Sequence, residues 1–254
     1  MENDSTEAVA ARLRREAEFH DQIFVSDARA SADRFYAVAS PAYDRYRTLV
    51  AEQVSGLNVL EYGCGPGSEA FDLARRGAHV HGIDISPVAI ELAQKTAAAR
   101  GVSERCTFEV MNAEALRFAD GTFDRICGSG ILHHVDLDRA FQEIARTLKP
   151  GGRGIFVEPL GHNPIINLYR RRTPEMRTHD EHPLLAKDLA AASKAFRQVT
   201  SEFRHLSVLA AVPLQKTPLF GLARQLLDRL DDFLLAPRSP VRWAAWLVVL
   251  ILEK

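Results

Sequence analysis

The segment Val59-Leu60-Glu61-Tyr62-Gly63-Cys64-Gly65-Pro66-Gly67-Ser68 constrains this chain more than any other. A short apolar strand runs straight into three glycines separated by single residues, and a helix-forming stretch to Arg75 follows. Glycine is needed where backbone must pass close to a ligand or adopt φ/ψ values that a Cβ forbids. A turn from strand into helix lies at the carboxyl edge of an α/β sheet, where such folds bind ligands. A second apolar run, His79-Val80-His81-Gly82-Ile83, ends in Asp84. An acid about 20 residues past such a turn is placed to bind ribose hydroxyls.

Downstream of Leu57 the pattern alternates. Strands are expected at 57–62, 78–84, 106–111, 123–129 and 153–159, with helices at 67–76, 87–101 and 136–148 between them. That alternation implies a parallel sheet with crossover helices. Ser86-Pro87 reads as a helix start, and Gly101 and Lys149-Pro150-Gly151-Gly152 read as helix stops. A helix near 184–195 and strands at 203–211 and 242–252 would close the sheet. Before the alternation, residues 7 to 52 read as helices at 7–19, 26–38 and 41–54, with Ser40 as N-cap and Pro41 in the first turn of the third. Leu219, Leu222, Leu226, Leu230 and Phe233 recur at helical spacing within 218–235.

A dinucleotide site would prefer G-x-G-x-x-G, whereas the glycines here are Gly63, Gly65 and Gly67 after Glu61. The E-x-G-x-G-x-G order resembles the first motif of the class I S-adenosylmethionine (SAM)-dependent methyltransferases. Asp84-Ile85-Ser86-Pro87 is similar to that family's ribose-binding strand end, and Asn112-Ala113-Glu114-Ala115-Leu116 to its adenine loop. Phe123-Asp124-Arg125-Ile126-Cys127, then Leu132-His133-His134-Val135, then Leu148-Lys149-Pro150-Gly151-Gly152 continue the likeness, which covers roughly 57 to 158.

The resemblance implies a Rossmann-like doubly wound α/β sheet, mostly parallel with an antiparallel last strand, to which N-terminal helices and a helical insertion are added. It divides the chain into an N-terminal helical lid (1–54), a SAM-binding core (55–160) and a substrate side (161–254). It implies SAM as cofactor, held by Glu61, Gly63, Gly65, Gly67, Asp84, Ile85, Asn112, Ala113, Glu114, Gly128 and Ser129. Asn112 departs from the family, which carries an acid there. Its Oδ1 accepts more weakly than a carboxylate, so either Asn112 makes the adenine contact at a modest loss or Glu114 and the Ala113 backbone carry more of it.

Methyl transfer is a displacement at carbon, and the enzyme must position an acceptor and often take its proton. His133, His134 and Glu158 are the candidates for that work. Each also has a structural alternative. Substrate contacts are expected from Tyr36, His162, Arg171, Arg177, His179 and His182, the last five in a stretch read as a long polar loop over the active edge. Arginine forks suit anionic groups. His179-Asp180-Glu181-His182 packs its ligands too closely for a metal assignment, and none is made.

The expected activity is methyl transfer to a small molecule, with oxygen favoured as the acceptor over nitrogen or carbon. A SAM-binding regulator or pseudoenzyme is the competing reading, and the glycine order disfavours an NAD-type oxidoreductase. A net charge of −1 gives no field for nucleic acid. Cys64, Cys106 and Cys127 lack metal spacing and suit a reduced, cytoplasmic protein. The charged N-terminus lacks the apolar segment of a signal peptide, and the apolar run 243–252 is about half of a membrane span. The stripe in 218–235 fits a lid, a homodimer face or a membrane-surface contact.

Overall fold

The computed structural model describes residues 2–25, 33–174, 177–178 and 180–254; the side chains of 2–6, 8, 23–25, 33, 34 and 36 fall outside that description. Seven strands form one sheet: β1 (Asn58–Tyr62), β2 (His79–Asp84), β3 (Cys106–Val110), β4 (Phe123–Ser129), β5 (Leu148–Pro159), β6 (Gln198–Arg204) and β7 (Leu247–Glu253). Their order is β3-β2-β1-β4-β5-β7-β6. β1 to β5 pair in parallel, and β7 runs antiparallel to both β5 and β6. The crossovers are α3 (Ala70–Arg75), α4 (Pro87–Ala99) and α5 (Leu137–Thr147). The remaining helices are α1 (Glu2–Val25), α2 (Asp33–Ala51), α6 (Pro164–Arg172), α7 (Ala186–Ala192) and α8 (Phe220–Leu234).

Central strands covered on both faces should be apolar throughout. β7 is apolar from Leu247 to Leu252, and Leu247, Val248, Val249, Leu250 and Leu252 are all buried. One core face packs α2, α3 and α4 on the sheet through Val38, Tyr46, Phe71, Ile90 and Val249. The other packs α5 and α7 through Leu60, Phe141, Ile144, Leu189 and Phe156.

Three expectations need correction. The helices expected to meet at Ser40-Pro41 are one helix, α2, with Pro41 inside it. The expected loop after Glu158 contains α6, whose N-cap Asn163 accepts from the amides of Ile165 and Ile166. The strand expected at 203–211 ends at Arg204, and residues 207–214 form a 3-10 helix. The stripe on α8 faces solvent: Leu219, Leu222, Leu226, Leu230 and Phe233 are all exposed, Phe233 at 78%. Buried Asp231 holds α8 in that orientation, because its carboxylate accepts from the amides of Leu206, Ser207 and Val208.

Candidate active site

The glycine turn leaves the end of β1. Gly63, Gly65 and Gly67 take φ of 68°, 52° and 89°, a region that disfavours any residue with a Cβ. A Cβ on Gly63 would also lie 2.7 Å from the Ile131 side chain. Glu61, 1% exposed, braces the turn from below. Its Oε1 accepts from Ser68 Oγ at 2.5 Å and the Glu69 amide at 2.7 Å, and Oε2 accepts from the Ala70 amide at 3.0 Å. Burial pushes its carboxyl up to about 7 despite these donors. Glu61 was expected among the cofactor contacts; here its carboxylate is engaged by the turn and the start of α3.

Asp84 closes the turn from the neighbouring strand. Its Oδ2 accepts from the Gly65 amide at 2.8 Å and its Oδ1 from the Ser86 amide at 2.9 Å. Ser86 takes the capping role on α4, accepting from the Ala89 amide at 3.0 Å, and its hydroxyl also meets Asp21 of α1. Each Asp84 oxygen keeps a lone pair for a ribose diol, and half-buried Ile85 follows it. In the loop after β3, Asn112 Oδ1 accepts from the Glu114 amide at 2.9 Å, and the Tyr62 hydroxyl donates to the Ala113 carbonyl. Asn112 thus braces the loop locally. Glu114 is turned away from it, accepting from Arg12 Nη2 at 2.5 Å and from the Asp136 amide at 2.8 Å.

At the ends of β4 and β5 the backbone is crowded. A Cβ on Gly128 would lie 2.8 Å from the Tyr62 carbonyl oxygen. Ser129 and Gly130 lead from it into the 3-10 turn Leu132–His134. Glu158, fully buried, accepts from the Ile131 and Leu132 amides, both at 2.9 Å, through Oε1. Its Oε2 lies 2.7 Å from His133 Nδ1. Burial pushes Glu158 up to about 7 and His133 well below the usual imidazole range. His134 stacks on His133 with ring centroids 4.1 Å apart, and its Nδ1 lies 3.2 Å from Glu16 Oε2 on α1.

The expected substrate residues do not converge. Arg177 Nη1 donates to the carbonyls of Arg170 and Thr173 and so ends α6. Arg171 is exposed. His162 is exposed and its Nε2 accepts from the Ala186 amide at 3.2 Å. The His182 amide donates to the His133 carbonyl at 2.7 Å, but its ring turns to Asp188 at 3.2 Å. Tyr36's side chain and all of His179 lie outside the described residues. The helix expected at 7–19 is present within α1, but its residues Arg12, Glu16 and His20 were not among the expected site residues. Arg12, Glu16 and His20 are spaced i, i+4, i+8 and share one helix face, and that spacing was the available signal.

A glycine-ribbed turn, an acid at the next strand tip and this strand order define an α/β fold that binds a nucleoside cofactor at its carboxyl edge. Residues 59–152 match the family described as a methyltransferase domain. Over 173 residues the chain is 30% identical to the demethylmenaquinone methyltransferase of Lactococcus lactis subsp. lactis, across 65% of this chain and 67% of that protein. Over 101 residues it is 40% identical to methyltransferase GfsG of Streptomyces halstedii, across 39% of this chain and 36% of that protein. The geranyl diphosphate C-methyltransferase of Streptomyces coelicolor, solved with Mg2+, geranyl diphosphate and S-adenosyl-L-homocysteine, shares the fold with a TM-score of 0.59 and 14% identity, over 84% of this chain and 78% of that one.

This chain belongs to the class I SAM-dependent methyltransferases, and SAM is its cofactor. The residues present fit that cofactor: the turn through Gly63, Gly65 and Gly67 presents backbone without side chains, and Asp84 beside it keeps lone pairs for a ribose diol. The chain spans about a third of the length of the first curated relatives it matches. No described helix is long and apolar enough to cross a membrane.

Proposed function

We propose that this chain transfers the methyl group of SAM to a hydroxyl of a small-molecule acceptor, with His133 as general base and Glu158 as the group that positions it. The observation that carries this reading is the buried contact of 2.7 Å between His133 Nδ1 and Glu158 Oε2 at the carboxyl ends of β4 and β5. SAM supplies an electrophilic methyl group, but a hydroxyl is a weak nucleophile until it gives up its proton. With Nδ1 donating to Glu158, His133 presents Nε2 as its basic nitrogen. Burial disfavours the charged imidazolium, so the nearby Glu158 carboxylate is what makes protonation of the ring accessible. As the acceptor oxygen bonds to the methyl carbon, its proton passes to Nε2, and the Glu158 carboxylate offsets the imidazolium charge. Glu158 is itself fixed by the Ile131 and Leu132 amides, so the base does not need to be oriented at the moment of reaction. An acidified carbon acceptor would use the same base, whereas an amine would not need one.

The test is turnover of methyl-labelled SAM with a panel of phenols and enols, for the parent and for His133→Ala and Glu158→Gln. Both substitutions should lower turnover about 10²–10⁴-fold with cofactor affinity unchanged. Equal turnover in parent and variants sinks the base assignment. A parent that binds SAM but methylates nothing in the panel favours the regulator reading. Methyl found on carbon corrects the acceptor atom.

A further inference from the structure

Glu16 and His20 sit one turn apart on the same face of α1, directly over His134 in the turn after β4. Glu16 Oε2 lies 3.2 Å from His134 Nδ1 and 3.6 Å from His20 Nε2. The His20 and His134 rings meet edge to face with centroids 5.0 Å apart. One ligand atom from each of the three side chains falls within 4.8 Å of the others. Neither Glu16 oxygen has a hydrogen-bond partner, and neither does His134 Nδ1. The Glu16 side chain is only 4% exposed.

A buried carboxylate whose neighbouring imidazoles stand at 3.2 and 3.6 Å without forming a hydrogen bond to it calls for an explanation. The spacing supplies the explanation. A tetrahedral ion about 2.1 Å from each ligand sets neighbouring ligand atoms roughly 3.4 Å apart. The two measured separations bracket that value.

We propose that Glu16, His20 and His134 form a binding site for a borderline divalent transition-metal ion of the Zn2+ type. Two imidazoles and a carboxylate are a donor set for such ions, whereas Mg2+ and Ca2+ take oxygen ligands. Three protein ligands leave a fourth position for water or a polar ligand. Glu181 brings another carboxylate to the His133 and His134 side of the cluster and adds to its negative field. The ion would fasten α1 to the turn that carries His133, so the site also links the helix to the neighbouring Glu158 and His133 pair. The site stands on its own geometry and does not depend on the acceptor being a hydroxyl.

The test is titration of the chelator-stripped protein with Co2+, followed by visible absorption, with Zn2+ added as competitor. The parent should bind one Co2+ per chain and release it to Zn2+. Glu16→Gln and His20→Ala should each weaken that binding at least about 100-fold, since disturbing even an outer partner of a metal ligand commonly costs about 10–100-fold. His79→Ala, at an exposed position on β2, should not change it. Circular dichroism checks that each variant is folded, and His20→Gln replaces any variant that is not. Zn2+ should also slow amide exchange across residues 12–20 in the parent alone. The proposal falls if the parent takes up no Co2+ at micromolar concentration, which would make the cluster a hydrogen-bonded ion pair. It falls equally if the folded Glu16 and His20 variants bind Co2+ as the parent does.

Discussion

Arg12 Nη2 lies 2.5 Å from Glu114 Oε1, joining the first helix to the loop after β3 across 102 residues of sequence. The same guanidinium reaches the His134 carbonyl through Nη1 at 3.2 Å. α1 therefore lies between the adenine-side loop and the turn carrying the proposed base.

Arg12→Ala should loosen α1 while leaving the sheet intact. The Glu114 side chain is 1% exposed, so losing its charged partner should cost about 1–3 kcal/mol of local docking. Amide exchange should accelerate across residues 10–22 and stay unchanged in β4 and β5. Unchanged exchange in α1 would mean that the Arg15–Asp180 pair at 2.8 Å and the Asp21–Ser86 contact hold the helix without Arg12.

Asp84→Ala removes acceptors from the Gly65 and Ser86 amides. SAM affinity, measured by calorimetry, should fall by about 1.5–3 kcal/mol, the range for hydrogen bonds to a charged group. The sheet should still form, because the residue sits at a strand tip. Unaltered affinity would assign Asp84 to the turn alone.

His205 gives a pH signature away from the active edge. Burial lowers its pKa from the ordinary 6.5 to about 4. The unfolded chain therefore binds a proton that the folded chain refuses between those values. Its contribution is present above pH 6.5 and is lost as pH falls towards 4, up to about 3 kcal/mol at about 1.36 kcal/mol per unit. Its φ of 65° is a conformation that asparagine tolerates. His205→Asn should fold and show a flatter loss of stability over that window in urea titrations. Parallel pH curves for parent and variant would show that other groups set the slope.

Leu226→Glu on α8 should change stability by no more than about 0.5 kcal/mol, because the side chain is 56% exposed. Leu227→Glu, one position on, should cost about 1–3 kcal/mol, because that side chain packs against the core. Equal effects measured by denaturation would mean that α8 is rotated relative to this description.

The sheet was legible because its strands are short apolar runs between turn residues. Phe123–Ser129 was read to the residue, since Gly121 and Gly130 flank it. Ser40-Pro41 misled because the pair is a good helix start, yet packing of Val38, Ala42 and Tyr46 carries α2 straight through the proline. The apolar residues within 203–211 suggested a strand there, but β6 is an edge strand and lies in the more polar Gln198–Arg204. At the site, the glycines and Asp84 announced themselves by spacing. Arg12, Glu16 and His20 share a helix face by spacing, but nothing local names their partners, which lie 100 residues or more away in the chain.

The place of β7 has a consequence for how the chain comes together as it is made. β7 lies between β5 and β6, yet it follows every other strand in sequence. Until it emerges from the ribosome, β5 has an open edge and β6 has no strand to join. The five-stranded parallel part can assemble during synthesis, while the far side of the sheet waits. That interval exposes two unpaired edges at once, so a pause in translation between Arg204 and Leu247 is where this chain is most open to pairing with the wrong neighbour.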